Sequence, residues 1–241
     1  MSSSFDGITT IFFDFMGTCL DWHSSVVDAF PEQIEKETRS KLAIAWREAF
    51  FDDIHSRFDQ GLPPEDIDVT HARLLDDLTS SLEFAFLALT AIEKDVAVQA
   101  WHIMRAWPDI PPALAQLRQK YEIFVLANGT TRLQLDLVRS SGLVFDMLFS
   151  SQLLNLTKPD LEIYRRAMSL VEAKPENCLM VAAHAYDLRA AKQVGLRTVY
   201  IRRWTEDTKE DMMQVRMGVD LFLGEVEQGD GKLTDLAASL C

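Results

Sequence analysis

Four short segments of this chain carry side chains that could do chemistry if one edge of a sheet presented them together. The first is Asp14, which follows the apolar run Ile11-Phe12-Phe13 and opens the turn Phe15-Met16-Gly17-Thr18. The second is Asn128-Gly129-Thr130, the third Thr157-Lys158-Pro159-Asp160, and the fourth runs from His184 to Asp187. A carboxylate is a weak nucleophile, but one held in line with an electrophilic carbon gains from proximity and desolvation, which makes Asp14 a candidate. Lys158 precedes a proline and is expected in extended backbone. There it can pair with Asp14, keep it ionised and lower its pKa. Thr18 either supports the turn or points its hydroxyl at Asp14. Asp187 falls beside a new helix, where a first-turn carboxylate also interacts favourably with the helix dipole.

These residues need elements to position them. The all-apolar stub before Asp14 reads as a buried parallel strand, and open α/β sheets place their ligand sites at the carboxyl ends of such strands. After it the pattern is helical for roughly ninety residues, with no strand signal. Ser40 to about Phe58 carries Leu42, Trp46, Phe50, Ile54 and Phe58 at helical spacing. Pro63-Pro64 breaks that stretch, and further helices are expected over about Glu65–Leu78, Leu82–Leu89 and Lys94–Ala106, with Trp107-Pro108 closing the region. From about Pro111 helices and strands alternate. The helices cover Pro112–Lys120, Arg132–Ser140, Leu161–Val171 and Tyr186–Val194, and the strands Ile123–Leu126, Met147–Phe149, Cys178–Val181 and Thr198–Ile201. That alternation implies an α/β fold with a doubly wound parallel sheet. Residues 1–21 and 108–241 would form the core, and 22–107 a helical insertion roofing its carboxyl edge. Gly224–Lys232 reads as a surface loop before a short terminal helix.

Composition narrows the partners. The 241 residues include 24 basic and 37 acidic side chains, a net charge of −13. Such a surface repels phosphate backbones and anionic membranes, so neither nucleic acid nor a membrane is an expected partner. An anionic small substrate would need local positive charge. Cys19, Cys178 and Cys241 are widely spaced and odd in number, which indicates neither a disulfide framework nor a zinc site and points to a reduced, cytoplasmic protein. The start, Met-Ser-Ser-Ser-Phe-Asp-Gly, lacks the pattern of a signal peptide. The most apolar helical stretch, Leu82 to Ile92, contains Glu83 and is too short to span a bilayer.

With these four motifs in this order and a helical insertion between the first two, the chain resembles the haloacid dehalogenase superfamily, in its type II 2-haloacid dehalogenase branch. The resemblance covers almost the whole chain. It implies a Rossmann-like hydrolase core with a cap domain, Asp14 as nucleophile, and Asp187 sharing Lys158 while positioning the hydrolytic water. It also implies that Asn128 and backbone donors face the reacting group, that Arg47 beside Trp46 receives the departing halide and the substrate, and that Tyr164 belongs to the site. Phe51, one turn after Arg47, and Tyr186 are candidate pocket walls, and Met16 suits an apolar pocket for an alkyl carbon. The superfamily's phosphatases carry a second acid where this chain has Met16, and a further acid for Mg²⁺ where it has Ala183. The expected reaction is therefore a metal-independent, cofactor-free substitution at carbon through an aspartyl ester. The substrate is a small molecule, a 2-haloacid or a related activated compound such as an epoxide. A magnesium-dependent phosphatase and a catalytically silent binding protein are the alternatives, and the resemblance leaves a homodimer open. The branch usually has Tyr at the Met16 position, Ser at Ala127 and Ser-Ser-Asn at Ala182-Ala183-His184. These departures point to a substrate other than the simple haloacids. His184 is either a general base for the ester-hydrolysing water or a neutral hydrogen-bonding replacement for the amide.

Overall fold

The computed structural model describes residues 5–63, 65–227 and 229–241. The first four residues, Pro64 of the expected helix break and Gln228 of the expected loop lie outside that range. The chain divides into two compact units, Met1–Asp21 with Ala106–Cys241, and Trp22–Arg105.

In the first unit the strands are β1 (Thr10–Phe13), β2 (Leu20–Asp21), β4 (Glu122–Ala127), β5 (Met147–Ser150), β6 (Cys178–Ala182), β7 (Arg197–Ile201) and β8 (Leu221–Leu223), β3 (Arg105–Ala106) lying where the chain re-enters it. Its helices are α5 (Ile110–Leu117), α6 (Thr131–Ser141), α7 (Ser151–Leu154), α8 (Leu161–Leu170), α9 (Ala185–Gln193), α10 (Met212–Gly218) and α11 (Leu233–Leu240). Six strands form a parallel sheet in the order β5-β4-β1-β6-β7-β8. The chain steps outward from β1 through β4 to β5, then returns to β6 and steps outward the other way. The direction therefore reverses beside β1, the switch point at which open α/β sheets leave a crevice.

β1 is buried on both faces, which is why its sequence is continuously apolar rather than alternating. Phe12 sits in register with Phe124 and Met180, and its ring lies 5.6 Å from Phe124 and 6.4 Å from Phe149. Ile11, one residue along, pairs with Ile123 and Leu179. The Phe12 layer continues into Ile163 and Tyr164 of α8 and Leu188 of α9. Packing on this layer orients the two helices that carry Tyr164 and Asp187.

The second unit contains α1 (Trp22–Ala29), α2 (Lys36–Asp59), α3 (Ile67–Ser80) and α4 (Ala91–Ala100). Asp66 caps α3 through the backbone N–H groups of Asp68 and Val69, and Thr90 with Glu93 forms a reciprocal capping box on α4. The stretch expected as a helix over Leu82–Leu89 holds only a single 3₁₀ turn, Ala85–Leu87, ended by Ala88 at φ 47°. Its apolar residues are largely outward, with Leu82 and Phe86 exposed, so no buried face stabilises a longer helix. The last helix stops at Ala100 rather than Ala106, and Arg105–Ala106 is a short strand in a region expected to have none. Strands of two residues carry too little pattern to be read. Helices α1, α7 and α10 and strand β8 are likewise short additions. No helix among the described residues is long and apolar enough to cross a membrane.

Candidate active site

The carboxyl edge of the sheet gathers Asp14 from the end of β1, Asn128 from the end of β4, His184 and Asp187 beyond β6, and Lys158 from the turn before α8. The backbone N–H of Asp14 bonds the Val181 carbonyl at 3.0 Å, so the carboxylate leaves the sheet at a fixed point between β1 and β6. Lys158 Nζ donates to Asp14 Oδ1 at 2.8 Å and to Asp187 Oδ2. Lys158 lies in a turn closed by the Asp160 N–H on the Thr157 carbonyl at 2.9 Å, with a cis peptide bond to Pro159. Asn128 holds that turn from both sides. Its Nδ2 donates to the Lys158 carbonyl at 3.0 Å, and its Oδ1 accepts the Lys158 N–H at 2.8 Å. The Asn128 amide thus orients the lysine that meets Asp14.

The other oxygen of Asp14 has two partners. Thr18 Oγ1 donates to Oδ2 at 2.6 Å, and the same hydroxyl accepts the Ala183 N–H at 2.8 Å, which directs its one proton at Asp14. His184 Nδ1 lies 3.1 Å from Oδ2. Its Nε2 lies 2.7 Å from Glu206 Oε2, and Thr205 donates to Glu206 Oε1 at 2.8 Å. Tyr164 donates to Asp187 Oδ1 at 2.6 Å. Asp14, Thr18, Lys158, His184, Asp187 and Glu206 are all buried. They form one chain of contacts from Glu206 through His184, Asp14 and Lys158 to Asp187.

Charge explains the titration of each member. Burial would raise the Asp14 carboxyl, but Lys158 and His184 outweigh it and hold Asp14 well below the usual carboxylate range. Burial would lower the Lys158 ammonium, but Asp14 and Asp187 raise it. Asp187 moves the opposite way from Asp14: burial and the Asp14 charge raise it against the pull of Lys158. Of two carboxylates on one lysine, Asp14 stays ionised and Asp187 is the readier to accept a proton. Burial pushes the Tyr164 hydroxyl up, with Asp187 adding to it, so it remains a donor.

Tyr186 is half-buried, its ring 5.8 Å from that of His184, and Met16 is half-buried in the loop after Asp14. Arg47 and Phe51 belong to the helical unit. There the buried Arg47 guanidinium lies 4.5 Å from the Phe51 ring centroid, 5.4 Å from Trp22 and 5.7 Å from Trp101. An aromatic setting of this kind keeps a guanidinium weakly hydrated and suited to an anion. Neighbouring Trp46 is fixed by its indole N–H on the His71 carbonyl at 3.0 Å.

No group of three or more His, Cys, Asp or Glu side chains among the described residues is arranged to hold a metal ion. The oxygens of Asp14 are engaged by Lys158, Thr18 and His184, and those of Asp187 by Lys158 and Tyr164.

Glu206 is the contact that motif reading does not find. It lies five residues beyond the end of β7, and the signal for it is only the acid pair Glu206-Asp207 after a strand. Gly17 makes room for it: a Cβ on Gly17, whose φ is +82°, would meet the Glu206 carboxyl carbon at 2.5 Å. Asp207 in turn accepts the Ala185 N–H at 2.6 Å at the start of α9.

Residues 8–195 match the family model described as haloacid dehalogenase-like hydrolase. The chain is 28% identical over 202 residues to (S)-2-haloacid dehalogenase 4A of Burkholderia cepacia, covering 82% of this chain and 84% of that one. It is 26% identical over 245 residues to (S)-2-haloacid dehalogenase of Pseudomonas sp. (strain YL), covering 93% and 100%. Among solved structures, a crystal structure of an L-2-haloacid dehalogenase superposes with a TM-score of 0.80 at 30% identity, covering 98% of this chain and all of that one.

Proposed function

The chain belongs to the haloacid dehalogenase-like hydrolases, in the branch of the 2-haloacid dehalogenases, and from that premise we propose that it converts an (S)-2-haloacid and water into a 2-hydroxyacid with inversion at carbon. The observation that carries this reading is the state of Asp14: ionised, buried, and held through Oδ1 by Lys158 and through Oδ2 by Thr18 and His184. A carboxylate oxygen has two in-plane lone pairs. Both of those on Oδ2 are taken by donors, whereas Oδ1 keeps one free of the described contacts, so Oδ1 is the attacking atom. It forms a bond to C2, the carbon–halogen bond breaks, and halide leaves with the electron pair.

The ester so formed has Oδ2 as its carbonyl oxygen. Water attacks Cγ and gives a proton to Asp187, and the negative charge gathers on Oδ2. Collapse breaks the Cγ–Oδ1 bond. The product alkoxide takes the proton held by Asp187, Lys158 lying between the two, and the new Asp14 carboxyl releases its own proton to solvent. Arg47 supplies the cation for the substrate carboxylate or the departing halide, and its aromatic surroundings support that role.

A halide-release assay over (S)- and (R)-2-haloacids, with epoxide opening and phosphate release followed in parallel, tests the reading. Release from the S series that is unchanged by chelator is the expected result. Turnover confined to phosphate esters and abolished by chelator overturns it.

A further inference from the structure

The contact between His184 and Glu206 bears on the second half of that reaction. His184 lies between two carboxylates, with Nδ1 3.1 Å from Asp14 Oδ2 and Nε2 2.7 Å from Glu206 Oε2. An ionised carboxylate is only an acceptor, so a ring seated between two of them must carry a proton on each nitrogen. Glu206 also accepts the Thr205 hydroxyl through Oε1, and Asp14 is held by Lys158 and Thr18. With Glu206 ionised, the ring is an imidazolium, neither a free base nor a neutral amide substitute.

We infer that Glu206 is a positioning residue that holds His184 as an imidazolium, and that His184 with Thr18 forms the oxyanion site for hydrolysis of the Asp14 ester. This rests on the ester route proposed above. In the resting site the charges alternate, with Glu206, Asp14 and Asp187 negative and His184 and Lys158 positive. Esterification removes the Asp14 charge and leaves each cation paired with its own outer acid. The His184 Nδ1–H then donates to the ester carbonyl Oδ2, where charge develops when water attacks. No proton leaves His184 in this step: the water proton goes to Asp187 and then to the alkoxide, and His184 and Thr18 only stabilise the intermediate. Because halide departs on the face of C2 remote from Asp14, and His184 sits on Oδ2 rather than on the attacking Oδ1, the imidazolium contributes little to its expulsion. Its effect falls on ester breakdown.

The groups facing His184 include Asp14, Glu206, Tyr186 on the helix that follows it, Asp207 beyond the Ala185 N–H, and Lys158 across Asp14. Burial would lower the His184 pKa, but Asp14 and Glu206 outweigh it and raise it to about 10. The imidazolium, and the stability it contributes, is thus fully present below the ordinary value of 6.5 and is lost as pH rises through about 10.

The test is ring ¹⁵N NMR of histidine-labelled protein, with the His184 signal assigned by its absence in His184→Asn. In the wild type both ring nitrogens are expected to stay protonated past pH 8. Glu206→Gln is expected to bring the titration down toward the ordinary histidine range. In single turnover near pH 8.5 this variant is expected to slow ester breakdown about 100-fold, the scale of a lost oxyanion donor. Ester formation should change only a few-fold, and the breakdown rate should recover as pH is lowered. A wild-type His184 that titrates near 6.5 overturns the pairing, even if Glu206→Gln does not fold. Equal slowing of formation and breakdown at every pH overturns the oxyanion role while leaving the ester route standing. If no ester forms, the functional reading fails, and with it the oxyanion role, while the ring titration still judges the pairing.

Discussion

Lys158 holds two buried carboxylates, and its removal strands both. Lys158→Gln is expected to cost about 3–5 kcal/mol of stability, because breaking a buried ion pair leaves uncompensated charge behind. Halide release should fall by about 10³-fold or more as Asp14 loses the cation that keeps it ionised. Adding Asp14→Asn should recover part of the stability and none of the activity, which urea unfolding of the single and double variants would show. Activity at the wild-type level in Lys158→Gln would contradict this account. At this scale Asp14, Thr18, Lys158 and Asp187 were legible, because each sits in a short motif with a recognisable chemical task. The partner of Asn128 was not, since its amide engages the backbone of a residue thirty positions away. Glu206 was hidden for a similar reason. Its bond to His184 spans 22 positions and depends on Gly17 leaving space, and no local pattern encodes that.

The loop after β1 shows how an element enforces the site. Gly17 is needed twice, for its left-handed backbone at φ +82° and for the approach of Glu206 to within 2.5 Å of where a Cβ would stand. Gly17→Ala is expected to cost about 1–3 kcal/mol from the backbone alone. It should also displace Glu206, so the variant acquires the acid-shifted pH profile expected for Glu206→Gln. A pH profile matching the wild type, with only stability reduced, would show that Glu206 does not depend on that space. Long elements with a buried face were readable. The buried strands and helices α2, α3, α6, α8 and α9 lie within a few residues of their expected bounds. The failures were short elements: the single 3₁₀ turn at Ala85–Leu87, helices α1, α7 and α10, and strands β2, β3 and β8. Over two to eight residues the apolar pattern completes at most two helical turns, and tertiary contacts decide the outcome.

Across the whole chain the net charge of −13 makes a buried cation a selective device. An acidic surface favours anionic small molecules only where a local cation offsets it; Lys158 and His184 are buried against carboxylates, and Arg47 is buried among aromatic rings. The doubly wound sheet was legible from the alternation of apolar strands with helices, and so was the collection of motifs at its carboxyl edge. The reason is topological: strands that all run parallel deliver their carboxyl ends to one side. The replacement of one motif's amide by His184 was visible as a residue type, but its charge state was not, because that depends on both neighbours of the ring.

The central claim is that Asp14 becomes covalently attached to the substrate and is regenerated by water at its own carboxyl carbon. Single turnover with enzyme in excess over an (S)-2-haloacid in ¹⁸O water, followed by mass spectrometry of the Asp14 peptide and of the product, tests it most directly. The account predicts one ¹⁸O in Asp14 and ordinary oxygen in the hydroxyl of the 2-hydroxyacid. Label in the product hydroxyl with none in Asp14 would mean that water attacks the substrate directly, and would contradict it.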